Sequence, residues 1–564
     1  ILFMTDQDLD GSHIKGLGIN LFQSQWKSLV ELGIIGFMNT PILKATKGSK
    51  TIDFYNDGEY ELWKTDNEEG KGWKVKYYKG LGTSTGKEFK EYFKHKKIVT
   101  FTHTTESDDA IDRVFNKKRA DDRKVWLGHY DRTAYLNTSQ LSVSYEEFID
   151  RELIHFSKYD CDRSIPNVMD GLKTSQRKIL YAAFKKKLTT DIKVAQFSGY
   201  VSEHSAYHHG EASLNGAIVN MAQDFTGSNN IHLLMPNGQF GSRLQGGSDS
   251  ASERYIFTRL SSLTRAIFKD SDDAILDYLD DDGTAVEPIY YAPIIPLILV
   301  NGAKGIGTGF STDIMPHNPA DIIKCIYQML DGVQPEKHSL IPYYRGFQGT
   351  ITALTKTKFL IKGCYEVVGA DKIRITELPI GSWTDDYKKH LENMIDAKKY
   401  VKDYNDMSTN VLVDMTVTFH KGMLKKLQAM KGDYDCNGLE KTMKMYTTNT
   451  NTNMHLFDAE DHLKKYECVE DIIADHYAKR WKMYEERKAY MLKILQEQLS
   501  LLSNKAKYIM ELLDNTIDLR RKKQDEIENM LKEKGYNQVK DSFHYLIKMP
   551  MDAVSEENVE KIMK

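Results

Sequence analysis

Apolar residues fill the first four positions of the opening segment, Ile1-Leu-Phe-Met-Thr5, a pattern that predicts a buried strand. Polar residues then interrupt it as Asp6-Gln-Asp8-Leu-Asp10-Gly11, and a helix is predicted from about Ser12. Between residues 343 and 378 apolar and polar positions alternate, with Ile351 and Ala353, then Ile373 and Ile375, on one face. That is the period of half-buried strands. Towards the end the period changes. Leu495, Leu499, Leu502, Ala506, Ile509 and Leu513 follow one another at spacings of 4, 3, 4, 3 and 4, the seam of a coiled coil. The longest apolar run, around residues 293–300, is far too short to span a membrane. A chain of 564 residues has room for about three or four domains of about 150 residues. The expected class is therefore a multidomain mixture of α/β and α+β, with a β-rich middle and a helical end.

Composition adds little until it is resolved along the chain. Hydrophobic residues make up 41% and charged residues 28%, which fits a globular protein with an ample core. Cys161, Cys325, Cys364, Cys436 and Cys468 are scattered with no Cys-x-x-Cys pair. That argues against structural zinc or a disulfide framework and for a reducing compartment. The net charge of −3 does not announce a nucleic-acid binder, but its distribution does. Residues 163–193 hold eight basic side chains against two acidic ones. A second basic cluster, Lys117-Lys118-Arg119 with Arg123-Lys124, is partly offset by Asp121 and Asp122. Acid gathers at residues 270–287, where Asp280-Asp281-Asp282 sit together. Basic faces on a near-neutral protein fit localised phosphate contact, although an isolated lysine run is as readily a solvated helix face. The chain also opens on a strand pattern with no basic leader, as expected for a piece of a longer protein.

If the strand pattern persists past Thr5, Asp6, Asp8 and Asp10 share one face. Carboxylates clustered at a strand end suit a hard cation such as Mg²⁺. A calcium EF-hand loop also opens Asp-x-Asp-x-Asp-Gly but needs a glutamate at its twelfth position, which here is Leu17, and Lys15 intrudes. Tyr77-Tyr-Lys79-Gly80-Leu81-Gly82-Thr83-Ser84 is a glycine-flanked turn without Walker spacing, and no other stretch has it, so nothing marks a nucleotide-hydrolysis site. Arg254–Tyr255 ends a Gly- and Ser-rich segment. A tyrosine hydroxyl can attack a phosphodiester, and a neighbouring arginine can neutralise charge developing on the phosphorus oxygens. Alone, such a pair is an ordinary surface tyrosine. Ile306 lies among Gly302, Gly305, Gly307 and Gly309, either as an apolar tip for wedging between base pairs or as a buried isoleucine in a tight turn.

Taken in order, several long motifs resemble those of type IIA DNA topoisomerases, across essentially the whole chain. They are Asp6-Gln-Asp-Leu-Asp-Gly-Ser-His-Ile-Lys15, Lys79-Gly-Leu-Gly-Thr-Ser84, Arg163-Ser-Ile-Pro-Asn-Val-Met-Asp-Gly-Leu-Lys173, Gln176-Arg-Lys178, Tyr207-His-His-Gly-Glu211, Asn237-Gly-Gln-Phe-Gly241, Arg254-Tyr255 and Asn301-Gly-Ala-Lys-Gly-Ile306-Gly-Thr-Gly309. A TOPRIM metal domain ahead of a tyrosine domain in one polypeptide is the eukaryotic-type arrangement, found in eukaryotes and large DNA viruses. The resemblance implies the C-terminal part of a TOPRIM domain over 1–130, a winged-helix domain with the reactive tyrosine over 131–288, and a β-rich tower over 289–455. It implies a coiled-coil arm with the start of an exit-gate dimer region over 456–564.

The resemblance also assigns roles. Tyr255 becomes the nucleophile of a 5′-phosphotyrosyl link, and Arg254, His209 and Arg163 its catalytic partners. Lys173, Gln176, Arg177, Lys178, Tyr207, Lys117, Lys118 and Arg119 become DNA contacts, and Ile306 an intercalating wedge. Asp6, Asp8 and Asp10 become Mg²⁺ ligands, donated by the partner protomer of a homodimer acting on double-stranded DNA. The family's upstream glutamate and its ATPase domain are expected outside this chain, so ATP serves only the full-length protein. A nuclear location is implied for a cellular source, and host cytoplasm, nucleus or virion for a viral one. Two rival classes are a DNA-binding scaffold that kept the fold without activity and another TOPRIM enzyme such as a primase or nuclease. Retention of Arg254, Tyr255, His209 and the aspartates weighs against the first. The tyrosine and the Ile306 wedge weigh against the second.

Overall fold

The computed structural model describes residues 1–67, 70–78, 80–281, 283–520, 522–539 and 542–564, without the side chains of Asp57 and Met551. Lys79 and Asp282, both within motifs noted above, lie outside the described residues. The chain forms two compact units, one of Ile1–Phe268 with Asp277–His476 and the other of Lys269–Leu276 with Tyr477–Lys564.

The first unit begins with a four-stranded sheet. Strand β1 (Leu2–Phe3) lies parallel to β2 (Gly36–Met38), which pairs antiparallel with β6 (Ile98–Thr102), itself parallel to β7 (Ser142–Ser144). Between β2 and β6 the chain makes a small sheet of β4 (Lys50–Phe54), β3 (Leu43–Lys47) and β5 (Lys74–Tyr77). Phe37, Val99, Phe101, Val143, Tyr145 and Phe148 form the core against the main sheet. Helix α1 (Leu9–Gln25) contributes Ile19 to it. The structure corrects the expected start of this region. The strand ends at Phe3, and α1 starts at Leu9, ahead of Ser12. Asp8 is the reason, because its Oδ1 accepts the Gly11 amide at 2.7 Å and caps the helix. Asp6, Asp8 and Asp10 therefore occupy a turn, a cap and a first helical turn, and do not share a strand face.

Next come α2 (Ile154–Ser164), α3 (Thr174–Lys186), α4 (Val194–Ser205) and α5 (Glu211–Ala222). Short strands accompany them: β8 (Ile192–Lys193) with β9 (Phe257–Thr258), and the hairpin β10 (Tyr278–Asp281) with β11 (Thr284–Pro288). A second hairpin joins β12 (Ala303–Ile306) to β13 (Ser311–Ile314). The alternation of residues 343–378 does form strands. β14 (Thr350–Ala353) and β15 (Lys358–Lys362) pair, and β15 also pairs with β20 (Tyr446–Thr450). β16 (Cys364–Gly369), β17 (Lys372–Glu377), β19 (Met415–Phe419) and β18 (Val401–Asp406) form a four-stranded antiparallel sheet in that order. Ile373 and Ile375 enter its core, as their spacing requires.

Helix α6 (Val469–Leu513) runs for 45 residues. In the second unit, buried Arg480 donates to buried Asp272 at 2.6 Å, and Tyr508, Ile527, Leu531, Tyr536 and Phe543 make a local core. The predicted heptad seam divides there. Ala506 and Ile509 are buried, whereas Leu495, Leu499, Leu502 and Leu513 are exposed.

One buried group of the first unit sets an acid limit. His317, just after β13, is fully buried, and desolvation pushes its imidazole down to about 4. The unfolded chain takes up a proton near the ordinary value of about 6.5. Its contribution to stability is thus complete above about 6.5 and lost progressively as pH falls towards 4, at about 1.4 kcal/mol per pH unit. His317→Gln is expected to flatten the decline in urea midpoint of the first unit between pH 6.5 and 4.5. An equally steep decline in the variant would contradict this.

Candidate active site

Tyr255 stands on a loop whose backbone is fastened at many points. Before it, Gly241 has φ +95°, and a Cβ there would fall 2.5 Å from the Gly247 Cα. The two arms of the loop therefore touch backbone to backbone, a contact only glycine allows. Asp249 accepts the Ser242 amide at 2.8 Å and its hydroxyl at 2.5 Å. Gln223, the residue that ends α5, donates to the Phe240 carbonyl at 2.9 Å. Arg243 pairs with buried Glu377 at the end of β17, which also accepts the Gln348 and Leu378 amides at 3.1 and 2.9 Å. Around the tyrosine itself, the Val194 and Ala195 amides donate to the Ile256 and Glu253 carbonyls at 3.0 and 3.1 Å. Ile256 is 2% exposed while Tyr255 is 72% exposed. Burial of one side chain fixes the neighbouring one outward. Arg254 is exposed as well, and among the described residues no side-chain hydrogen bond or ion pair engages either Arg254 or Tyr255.

A second cluster forms around the end of α2. Arg163 Nη1 donates to Asp10 Oδ1 at 3.2 Å and its Nε to Asp160 Oδ1 at 3.4 Å. Its guanidinium lies 5.1 Å from the centre of the Tyr159 ring. The Tyr159 hydroxyl and His209 Nε2 are 2.5 Å apart, and Tyr207 packs edge-on against the His209 ring. Partial burial first, then the Arg163 charge, hold the His209 pKa below the usual imidazole value, so the ring is neutral at pH 7. A cleft of about 610 Å³ opens here, lined by Tyr159, Arg163, Tyr207 and His209. Asp6 accepts the Leu81 amide at 2.6 Å, and a Cβ at Gly80 would sit 3.2 Å from its carboxylate. Burial raises the Asp8 pKa above the usual carboxylate range, with Asp10 and Asp6 adding to the rise.

No cluster of three or more potential metal-ligating side chains forms among the described residues. The donors are nonetheless the right kind for Mg²⁺, which takes one or two carboxylates and completes its shell with waters and phosphate oxygens. Burial of the Asp8 carboxylate first, and the nearby Asp10 and Asp6 second, disfavour its charged form, a cost that a cation would offset. Asp10 is paired with the Arg163 cation, whereas Asp6 and Asp8 each accept one backbone amide and have no ion pair among the described residues, which leaves them as the fitting pair.

Ile306 ends β12 and is 83% exposed, so it is not a core isoleucine. Its hairpin is pressed against α2. A Cβ at Gly305 would lie 2.0 Å from the Ser164 carbonyl oxygen, and one at Gly307 would lie 3.1 Å from the Cys161 Cα.

The expected basic contacts fare less well. Arg177 is buried, donating to Asp170 at 2.7 and 3.1 Å and to the Leu172 carbonyl at 2.9 Å. Lys178 is bound to Glu287 at 2.8 Å and to the Ser205 carbonyl. The Arg177 charge is neutralised inside the fold, whereas half-buried Lys178, paired with Glu287, borders the same cleft as Arg163 and His209. Gln176 spends its side-chain oxygen on the Lys173 amide, and Lys173 Nζ donates to the Lys304 carbonyl at 2.7 Å. Arg119 is held by Asp109, Asp112 and Asp122, and Tyr207 is buried. Lys117 and Lys118 are exposed. Residues that sequence reasoning passed over are Tyr159, Asp160 and Thr308. Their only signal is position, on the turn of α2 before Arg163 and two residues after Ile306.

Within the single chain, Arg163 borders one cleft with Tyr207 and His209 and donates to Asp10, and Arg254 and Tyr255 are not among the residues lining that cleft. The first unit thus presents an exposed Arg-Tyr pair, an aspartate paired with Arg163 beside a cleft, and an exposed apolar hairpin tip. Comparison with known proteins gives the family. Residues 163–564 match the family model for the A-type chain of DNA gyrase/topoisomerase IV, and residues 38–161 match the C-terminal associated domain of TOPRIM. The chain is 46% identical over 555 residues to DNA topoisomerase 2 of Arabidopsis thaliana, covering 95% of this chain and 37% of that protein. It is 44% identical over 548 residues to DNA topoisomerase 2 of Plasmodium falciparum, covering 96% and 38%. The solved structure of the Plasmodium falciparum topoisomerase II DNA-binding, cleavage and re-ligation domain superposes with a TM-score of 0.83 at 42% identity, covering all of this chain and 80% of that one. The chain belongs to the type II DNA topoisomerase family, and it spans well under half the length of these full-length relatives.

Because Arg177 and Asp170 are buried together, Arg177→Ala should cost about 3–5 kcal/mol in stability by stranding the aspartate. The salt dependence of DNA binding should keep its slope, since no phosphate contact is lost. A stable variant whose slope falls by about one would restore Arg177 to the DNA surface.

Proposed function

We propose that this chain is the cleavage and rejoining core of a DNA topoisomerase II, working as a homodimer on double-stranded DNA. The observation that carries the reading is the exposed Arg254–Tyr255 pair on a loop fixed on both sides. In this reading the Tyr255 hydroxyl attacks a backbone phosphorus. A phosphotyrosyl ester forms to the 5′ end, the bond to the 3′ oxygen breaks, and that oxygen leaves with a proton. Rejoining is the reverse attack by the 3′-hydroxyl, so the bond energy is kept in the ester and nothing is hydrolysed. Arg254 donates to the phosphorus oxygens as charge gathers on them. Arg163 and His209 line the cleft that receives the neighbouring phosphate, His209 as a neutral donor held by Tyr159. Ile306 wedges between base pairs and bends the duplex, while Lys117 and Lys118 add backbone contacts.

Asp6 and Asp8 would hold Mg²⁺, which when bound supplies charge stabilisation for the attacked phosphate and the departing oxygen. In this reading each complete site is assembled from two copies, the carboxylates from one and Arg254–Tyr255 from the other. Passage of a second duplex, driven by ATP, belongs to the full-length protein, and the eukaryotic relatives favour a nuclear setting. The winged-helix, tower and coiled-coil boundaries of the sequence reading (131–288, 289–455, 456–564) are kept as part of this proposal.

Tyr255→Phe should bind duplex DNA nearly as before and form no covalent protein–DNA complex on denaturing gels. A persisting adduct would place the nucleophile elsewhere. Arg254→Ala should lower adduct formation about 10²–10³-fold. Ile306→Ala should bind but bend DNA less by energy transfer between end labels, and an unchanged bend would remove the wedge role.

A further inference from the structure

Two parts of the molecule that the proposed reaction uses differently meet on one carboxylate. Asp160 Oδ1 accepts from Arg163 Nε at 3.4 Å, and its Oδ2 accepts from the Thr308 hydroxyl at 3.1 Å. Arg163 continues to Asp10 at 3.2 Å. Thr308 lies two residues beyond Ile306, and its carbonyl accepts the Cys161 thiol at 3.3 Å. The hairpin and the last turn of α2 are also in backbone contact at Gly305 and Ser164. The tip of the hairpin therefore cannot be displaced without disturbing the turn that carries Asp160 and Arg163. As a mere helix brace, the Asp160–Arg163 pair at i, i+3 would engage only one oxygen of the carboxylate. Sharing its second oxygen with the turn of the hairpin gives Asp160 a different task.

We propose that Asp160 is a positioning residue that makes the hold of Arg163 on Asp10 depend on the seating of the Ile306 hairpin. This rests on the reading of the chain as a DNA cleavage core. Load placed on Ile306 by a bent duplex passes through Thr308 and the Gly305–Ser164 contact to the Asp160 carboxylate, and from it to the Arg163 guanidinium. Cleavage geometry is then set only when the wedge is engaged, which ties bond breakage to DNA bending.

The test is a double-mutant cycle in the full-length protein, read by covalent complex formation and by bend angle. Asp160→Asn keeps an oxygen for Thr308 and offers Arg163 an uncharged amide. It is expected to bend DNA like the unaltered protein and to form about tenfold less covalent complex. Ile306→Ala is expected to lower both readouts. The double variant should form no less covalent complex than the weaker single variant, because the two changes cut one chain of contacts. Thr308→Val, which severs the link on the hairpin side and leaves Arg163 paired, should match Asp160→Asn in both readouts and carries the test if the latter folds poorly. Asp160→Glu should recover part of the loss. Effects that multiply in the double variant, or Asp160→Asn cleaving within about twofold of the unaltered protein, would overturn the coupling. Absence of any Tyr255-linked DNA in the unaltered protein would instead overturn the cleavage reading, and this coupling with it.

Discussion

Helix α2 is the element on which the candidate site depends. Tyr159, Asp160 and Arg163 lie within one turn, so the i, i+3 and i, i+4 spacings present them side by side. Tyr159 holds His209, Asp160 holds Thr308, and Arg163 holds Asp10. Three segments far apart in sequence are thereby fixed to one rigid rod: the first turn of α1, the loop just before α5 and the Ile306 hairpin. Precision in a phosphoryl-transfer site comes from such support, since reacting groups must be held to fractions of an ångström.

The tyrosine is solved differently. Its loop gains rigidity from backbone contacts, from the Gly241–Gly247 approach and from the Arg243–Glu377 pair, while among the described residues no hydrogen bond or ion pair engages the Tyr255 side chain. A nucleophile that must reach into DNA gains from a fixed base and a free tip. The consequence is a site divided in two, with acid, Arg163 and His209 in one place and Arg254–Tyr255 in another. A symmetric dimer brings unlike patches of two copies together twice, which is the arrangement the proposed function requires.

Much of this was legible in the amino-acid sequence. The glycines around Ile306 marked a tight turn while leaving its tip exposed or buried, and the alternation at Ile373 and Ile375 read as strands, because both signals are local. What failed was long-range or hidden in side-chain geometry. Arg177 reads as a surface charge on a basic helix, yet its partner Asp170 sits seven residues earlier across a turn that no periodicity marks. The aspartates read as a strand face, but Asp8 is a better helix cap than a strand residue, and local capping ended the strand early. The heptad seam was periodic throughout, yet only Ala506 and Ile509 are covered within the chain. Asp160 carried no signal beyond its place on the turn before Arg163, since its meaning comes from Thr308, 148 positions away.

The most direct test of the divided site is a mixed dimer with two purified, differently tagged copies. In one preparation a Tyr255→Phe copy is paired with an Asp6→Asn/Asp8→Asn copy. In the other, all three substitutions sit on a single copy paired with an unaltered one. A site shared between copies predicts that the first dimer keeps one working centre and nicks one strand, leaving a covalent complex, whereas the second cuts neither. The reverse result, cleavage only when the substitutions share a copy, would show that each chain builds its own site and would contradict the account.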